Sequence, residues 1–160
     1  FHRAKQLGYR ALAITDECSL AGIVRAFNAS RDTGVPLVVG SEFTLDDGLK
    51  LVLLVENQVG YTELCRLITD ARRRSEKGEY RIGRSDFRAA PEGLLALWLP
   101  APGHRANDDQ ATWIKTQFPA RAWIGVELHR HADDEARLAA WHELGTRHDL
   151  PLVATGEEET

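Results

Sequence analysis

Short apolar runs alternate with segments of helical periodicity along most of the chain. Six runs are continuous or nearly continuous in apolar residues, which is typical of strands that are buried on both faces. The predicted strands cover residues 12–15, 37–40, 49–55, 94–99, 122–128 and 151–155. Asp46, Asp47 and Gly48 before the third run are typical of a tight turn, so the second and third strands are expected to form a hairpin or a neighbouring pair.

Helical segments separate these strands. The clearest covers residues 61–75, where Leu64, Leu67, Ile68 and Ala71 fall on one helix face. Further helices are predicted over residues 1–7, 19–33, 107–118 and 133–148. Strands that alternate with helices indicate an α/β domain with a mainly parallel sheet. An open sheet and a barrel fit this pattern equally well.

The ends of the helix over residues 19–33 carry recognisable signals. Ser19 is a candidate N-cap, and Gly34 is expected to end the helix. Asp16, directly after the first strand, is expected to act as a helix cap or turn former.

Length and composition predict one domain over residues 1–160, since 160 residues suffice for one core and not for two. We find no run of eighteen apolar residues and no signal peptide, which predicts a cytoplasmic protein without a membrane segment. Cys18 and Cys65 lack a nearby partner and are expected to be reduced thiols. The chain does not begin with Met, so we expect a piece of a longer protein.

The net charge of -4 argues against a chain that clamps nucleic acid over its whole surface. The charge is nevertheless uneven, because one stretch is rich in basic residues. A solvated helix end and loop is the more common role of such a run, and a local contact with phosphate or an acidic partner is the alternative. The stretch contains Arg72, Arg73, Arg74, Lys77, Arg81, Arg84 and Arg88.

Carboxylates and imidazoles follow four of the predicted strands. In parallel α/β folds the functional groups gather at the carboxyl ends of strands, and these side chains are ligands for divalent metals such as zinc or manganese. Each of them also has an ordinary alternative role as a turn former, a cap or a solvated charge. The candidates are Asp16 and Glu17, Glu42, His129 and His131, and Glu157 to Glu159.

Several segments, in order along nearly the whole chain, resemble the PHP (polymerase and histidinol phosphatase) domain of bacterial error-prone DNA polymerases of the replicative alpha-subunit type (C-family). Residues 8–16 and 40–43 are similar to two strand ends that PHP domains share. Residues 51–54, 60–61 and 64–69 resemble a segment of alpha-subunit polymerases. Residues 16–22, 71–74 and 77–80 are similar to the error-prone branch, which serves damage-induced mutagenesis.

The resemblance implies a distorted (β/α)7 barrel whose metal cluster holds up to three ions. The family's opening His-x-His motif should precede Phe1, so the chain is expected to lack the first strand. Glu42 and His131 match ligand positions of the family. Glu17 replaces a histidine, and Glu157 falls in the closing Asp-x-His pattern.

A further histidine of the family corresponds to Lys50, which brings a positive charge to a place where a cation is bound. Carboxylates in place of imidazoles disfavour zinc relative to harder metals. The resemblance therefore implies zinc or manganese at partial occupancy, or no metal, held by Glu17, Glu42, His131 and Glu157. We expect no robust hydrolase activity, because hydrolysis of this kind needs metal-bound water.

These features predict a structural and regulatory module of a translesion polymerase with a degenerate metal site. Its expected partners are the remaining polymerase domains, DNA through the full-length protein, and mutagenesis accessory proteins or a sliding clamp. Arg72, Arg73, Arg74 and Lys77 are the candidate contacts with nucleic acid or partner. The alternatives are a residual metal-dependent phosphoesterase or 3′–5′ exonuclease, and a stand-alone α/β binding protein.

Overall fold

A six-stranded mixed sheet lies at the centre of the computed structural model, which describes residues 12–101, 107–126 and 134–155. The strands lie side by side in chain order. Their bounds are β1 Leu12–Glu17, β2 Leu37–Thr44, β3 Lys50–Val55, β4 Leu94–Trp98, β5 Ala122–Val126 and β6 Leu152–Ala154.

The β1–β2, β4–β5 and β5–β6 pairs are parallel, whereas β3 runs antiparallel to both of its neighbours. The predicted α/β class is confirmed, and so is the pairing of the second and third strands across the Asp46–Gly48 turn. The reversal of β3 makes the sheet mixed, and it brings the first residue of β3 to the edge where β1 and β2 end.

Four helices accompany the strands in the described part of the chain. They are α1 Ile23–Thr33, α2 Gln58–Arg73, α3 Asn107–Gln117 and α4 Asp134–His148, with a short 3-10 turn at Arg84–Asp86. The last three agree with the predicted helices to within a few residues. The helix predicted over residues 1–7 lies outside the described residues.

The start of α1 differs from the prediction. The helix begins at Ile23, and no side chain caps it, so the assignment of Ser19 as N-cap is wrong. Ser19 is instead used by the turn after β1, where its N–H donates to Ser41 Oγ at 3.0 Å. Asp16 Oδ2 accepts the N–H of Gly22 at 2.9 Å, which confirms the expected role of Asp16 as a turn former.

Gly34 ends α1 as predicted. Its φ of 75° is the left-handed conformation that glycine adopts without strain, and its N–H donates to the carbonyl of Ser30.

One face of the sheet packs against the helices, and we call it the helix-covered face. Trp98 Nε1 donates to Gln110 of α3, and Ile124 lies against Gly145 of α4. The side chains of this face are completely buried, as expected for residues that carry the core. They include Phe43, Leu51, Leu53, Ala96, Trp98 and Ile124.

The opposite side of the same strands is called the second face. Strand register places Glu17, Glu42, Val52, Leu97 and Trp123 in one row across five strands. A second row runs through Thr15, Gly40 and Leu54, whose atoms crowd around Gly40. Most of these side chains are only half-buried, although Val52 is 8% exposed.

The position of α2 is fixed by an approach of two glycines. A Cβ on Gly60, in the first turn of α2, would overlap the carbonyl of Gly93, just before β4. Asn57 caps the helix, because its side chain accepts the N–H of Gly60 at 3.1 Å. This contact fixes the N-terminal end of α2 against the start of β4. The C-terminal end of α2, which carries the basic residues Arg72 and Arg73, then lies near the edge of the sheet.

Candidate functional site at the sheet edge

Two carboxylates stand side by side where β1 and β2 end. Glu17 and Glu42 are register partners on parallel strands and lie on the second face. Adjacent strands are about 4.8 Å apart, so two acidic side chains leave the sheet from directly neighbouring positions. Sequence reasoning had selected both residues from the ends of separate strands, and the structure brings them together.

Lys50 lies beside this carboxylate pair. It is the first residue of β3 and the register partner of Thr44, two residues beyond Glu42 on β2. Lys50 Nζ is 3.6 Å from Glu42 Oε1, and the two side chains are 52% and 29% exposed. The pair is therefore partly screened by solvent, and its strength is that of a surface ion pair.

Tyr80 contacts the other carboxylate. Its hydroxyl donates to Glu17 Oε1 at 2.6 Å and accepts the backbone N–H of Thr44 at 3.0 Å. Burial and the hydrogen bond to Glu17 raise the pKa of Tyr80 to about 12, so the phenol remains a neutral donor near pH 7. Sequence reasoning missed Tyr80, although it is the one aromatic residue between residues 76 and 86.

Arg72 connects three segments next to the carboxylate pair through hydrogen bonds to backbone carbonyls. Its guanidinium donates to the carbonyls of Glu17 at 3.2 Å, Cys18 at 3.1 Å and Glu79 at 3.1 Å. It also lies over the ring of Tyr80, with 5.3 Å between the guanidinium carbon and the ring centroid. Arg72 thus joins the end of α2 to the turn after β1 and to the segment that carries Tyr80.

The turn after β1 has an unusual backbone at Cys18. This residue is fully buried, with a φ of 45°, and its N–H donates to the carbonyl of Glu42 at 2.7 Å. Burial raises the pKa of the Cys18 thiol above its usual range, and the nearby Arg72 opposes the rise. Cys18 therefore has the character of a buried structural thiol.

Several arginines of the basic stretch form ion pairs with acidic residues of the same chain. Arg74, Arg84 and Arg88 form ion pairs, whereas the exposed side chains of Arg73 and Lys77 form none within the described residues. The pairs are Arg74–Asp86 at 2.5 Å, Arg84–Asp47 at 2.7 Å, Arg84–Asp109 at 2.8 Å and Arg88–Glu63 at 3.8 Å.

The carboxyl of Asp86 shows the effect of such pairing. Burial alone acts to raise the pKa of Asp86, but the N–H of Gly83 and the guanidinium of Arg74 outweigh it and lower the pKa below its ordinary value. Gly83 donates to Asp86 Oδ2 at 2.8 Å. Asp86 is therefore an anion held by two donors, and Arg74 is committed to it.

The described donors do not fit a metal cluster. In residues 12–101, 107–126 and 134–155, no group of three His, Cys, Asp or Glu side chains is arranged to hold a metal. Glu17 and Glu42 are held by Tyr80 and Lys50. The other two predicted ligands, His131 and Glu157, lie outside the described residues.

No helix within the described ranges is both long and apolar enough to cross a membrane.

The PHP domain family model matches residues 1–139, so this chain belongs to the PHP family. This confirms the resemblance on which the predicted fold rests, and the domains of this family are distorted (β/α) barrels. In the described residues, this fold is represented by one sheet of six strands.

Curated relatives make the comparison more specific. The chain is 58% identical over 157 residues to the error-prone DNA polymerase of Pseudomonas paraeruginosa (strain DSM 24068 / PA7). It is 56% identical over 157 residues to that of Pseudomonas aeruginosa, and 53% identical over 161 residues to that of Xanthomonas oryzae pv. oryzae. Each match covers 98% of this chain and 15% of the relative. The chain therefore spans about 15% of the length of the curated relatives that it matches.

A solved structure supports the fold. A proposed metal-dependent phosphoesterase from Bifidobacterium adolescentis superposes with a TM-score of 0.53, over 96% of this chain and 78% of that one. The two sequences are 16% identical, so the likeness concerns the fold alone.

Proposed function

We propose that this chain is the PHP module of an error-prone translesion DNA polymerase, and that it acts structurally and as a regulatory element. The observation that carries the proposal is the 58% identity to a curated error-prone DNA polymerase over 98% of the chain. Because the relatives are several times longer, the carboxylates that bind magnesium for DNA synthesis are expected outside these residues. The remaining polymerase domains are then its immediate partners, and DNA is reached through the full-length protein.

The arrangement of the sheet edge supports a degenerate site. Glu17, Glu42, His131 and Glu157 are the proposed remaining ligand positions, and Zn or Mn would be held only at partial occupancy or not at all. Two observations favour this view, namely the ion pair of Glu42 with Lys50 and the hydrogen bond of Glu17 with Tyr80. Both carboxylates have partners from the chain itself, which reduces their availability to a cation.

The exposed basic residues beyond α2 are proposed to make the external contact. Arg73 and Lys77 are the candidates that remain available to DNA phosphates or to another polymerase domain. Arg72 and Arg74 hold the segment in place through Glu17, Cys18 and Asp86. Mutagenesis accessory proteins and a sliding clamp are further proposed partners of the full-length protein, with the cytoplasm as its compartment.

Primer extension by the full-length protein tests the structural role. Leu53→Ala in the core is expected to lower extension in proportion to the loss of folded protein. Glu42→Gln at the sheet edge is expected to leave extension within about twofold, because it removes no core contact. A folded Glu42→Gln protein with no extension activity would sink the proposal, since it would give the edge a direct part in synthesis.

Charge reversal tests the external contact. Arg73→Glu with Lys77→Glu is expected to weaken primer–template binding or the assembly of the polymerase domains, and to reduce the salt dependence of DNA binding if phosphates are the target. Lys115→Glu is a suitable control, since Lys115 lies on α3 and pairs with Asp149. If the double reversal matched this control in both assays, the contact would have to be placed elsewhere.

A residual metal-dependent phosphoesterase or 3′–5′ exonuclease is the second candidate. The adjacency of Glu17 and Glu42 favours it, because paired carboxylates are suitable ligands for a hard cation. It requires manganese- or zinc-stimulated turnover that is lost in Glu42→Gln and His131→Ala.

A further inference from the structure

The two carboxylates at the sheet edge pose an electrostatic problem. Glu17 and Glu42 are opposite each other in the parallel register of β1 and β2, and a one-residue shift of either strand would exchange its two faces. Like charges directly opposite each other on neighbouring strands destabilise a sheet.

In this chain a side chain supplies the positive charge. The antiparallel direction of β3 places Lys50 at the edge where β1 and β2 end, with its ammonium 3.6 Å from Glu42. Tyr80 supplies a hydrogen bond to Glu17 from a different part of the chain. Arg72 does not compete for either carboxylate, because its guanidinium is used by the carbonyls of Glu17, Cys18 and Glu79.

We propose that Lys50 is a built-in cation that, with Tyr80, stabilises the Glu17–Glu42 pair in place of a metal ion. A divalent cation and the Lys50 ammonium then compete for the same carboxylates. Removal of the ammonium leaves a carboxylate pair that a divalent cation can stabilise. The inference rests on the degenerate site of the proposed function, and it adds the group that replaces the metal.

Thermal unfolding of the chain with and without manganese tests this replacement. The melting temperature of the wild type is expected to stay within about 1 °C when EDTA or about 10 mM MnCl2 is added. Lys50→Gln is expected to melt roughly 2 °C lower in EDTA, which is the scale of a partly exposed ion pair. Manganese is expected to raise the melting temperature of Lys50→Gln by about 3 °C, as a site of roughly millimolar affinity would.

Lys115→Gln is the matched control. Lys115 pairs with Asp149 at 3.4 Å and is 48% exposed, close to the 52% of Lys50. Its substitution is expected to have no effect on the response to manganese. Glu42→Gln and the double variant Glu42→Gln/Lys50→Gln complete a mutant cycle. The double variant is expected to recover the stability lost in Lys50→Gln and to lose the response to manganese.

Two results would overturn the inference. One is a Lys50→Gln protein that responds to manganese no more than Lys115→Gln does. The other is a wild type stabilised by manganese as strongly as Lys50→Gln, which would show that the ammonium does not block the carboxylates. If Lys50→Gln failed to fold, the double variant would decide, because its recovery supports the inference and continued unfolding contradicts it. None of these outcomes bears on whether the parent protein is a polymerase, so the inference and the wider proposal can fail separately.

Discussion

The two faces of the sheet differ although the same strands build them. On the helix-covered face Leu51, Leu53 and Trp98 are fully buried. On the second face the neighbouring residues of the same strands are mostly half-buried, and at one edge they give way to Glu17, Glu42 and Lys50. Because side chains alternate along a strand, the apolar core lies on one side of these strands and the polar corner, formed by Glu17, Glu42, Lys50 and the adjoining Tyr80, lies on the other.

This difference separates stability from chemistry. The helix-covered face contributes the hydrophobic burial that holds the fold together, which scales with apolar area removed from water. The second face holds charged groups whose contacts are exposed and individually weak. Substitutions on the helix-covered face should therefore strongly destabilise the domain. Substitutions of Glu17, Glu42 or Lys50 on the second face should alter ion binding with little loss of stability.

The largest expected difference is between two adjacent leucines of β3. Leu53 is fully buried on the helix-covered face, and Leu54 is half-buried on the second face. Leu53→Ala is expected to lower the free energy of unfolding by about 2–5 kcal/mol, and Leu54→Ala by roughly half of that or less. Urea unfolding of both variants measures the difference, and equal losses would break the contrast between the faces.

A smaller effect is expected at Asp86, which joins the 3-10 turn to the C-terminal end of α2 through its ion pair with Arg74. Asp86→Asn should cost about 1–2 kcal/mol near neutral pH, because a hydrogen-bonded anion loses its charge. The native pKa of Asp86 lies below its ordinary value of 3.8, so the native state favours the anion. The stability that the Asp86 carboxylate contributes is complete above the ordinary pKa of 3.8, and it is lost as the pH falls through the lower native pKa.

Unfolding of wild type and Asp86→Asn between neutral and acidic pH measures this trend. The gap between the two proteins should close on acidification. A gap that stayed constant down to the acid limit would mean that the ion pair with Arg74 contributes little.

The smallest effect is expected at the polar corner. Tyr80→Phe removes the hydrogen bond to Glu17 and leaves the N–H of Thr44 without its partner. The expected loss is about 1 kcal/mol, because the site is partly exposed and water can replace part of the contact. Chemical denaturation measures it, and a loss as large as that of Leu53→Ala would show that the corner is part of the core.

Local sequence patterns predicted the fold well because local physics decides most of it. The apolar run from Leu51 to Leu54 and the turn at Asp46–Gly48 were enough to predict that β2 and β3 form a hairpin or a neighbouring pair, and the structure adds that they are antiparallel. The prediction of Ser19 as the N-cap of α1 was wrong because the N–H of Ser19 donates to Ser41, a buried residue 22 positions away. Such a competitor does not show in a local capping pattern.

The site was only partly predictable for the same reason. The strand-end rule led to Glu17 and Glu42 because parallel strands end at one edge. Tyr80 contacts Glu17 across 63 residues of chain, and no periodicity relates the two positions. The basic stretch looked uniform in sequence, but Arg74 pairs with an acid twelve positions along the same stretch, and Arg84 and Arg88 pair with acids from other segments. The structure was therefore needed to separate those arginines from Arg73 and Lys77.

The metal content of the purified chain, measured together with manganese-dependent hydrolysis of a single-stranded DNA 3′ end, tests the central claim most directly. We expect well under about one zinc or manganese ion per chain and no hydrolysis above that of the Glu42→Gln variant, because hydrolysis of this kind depends on the metal. About one or more ions per chain, with turnover that Glu42→Gln abolishes, would contradict it and would establish a working metal site at the sheet edge.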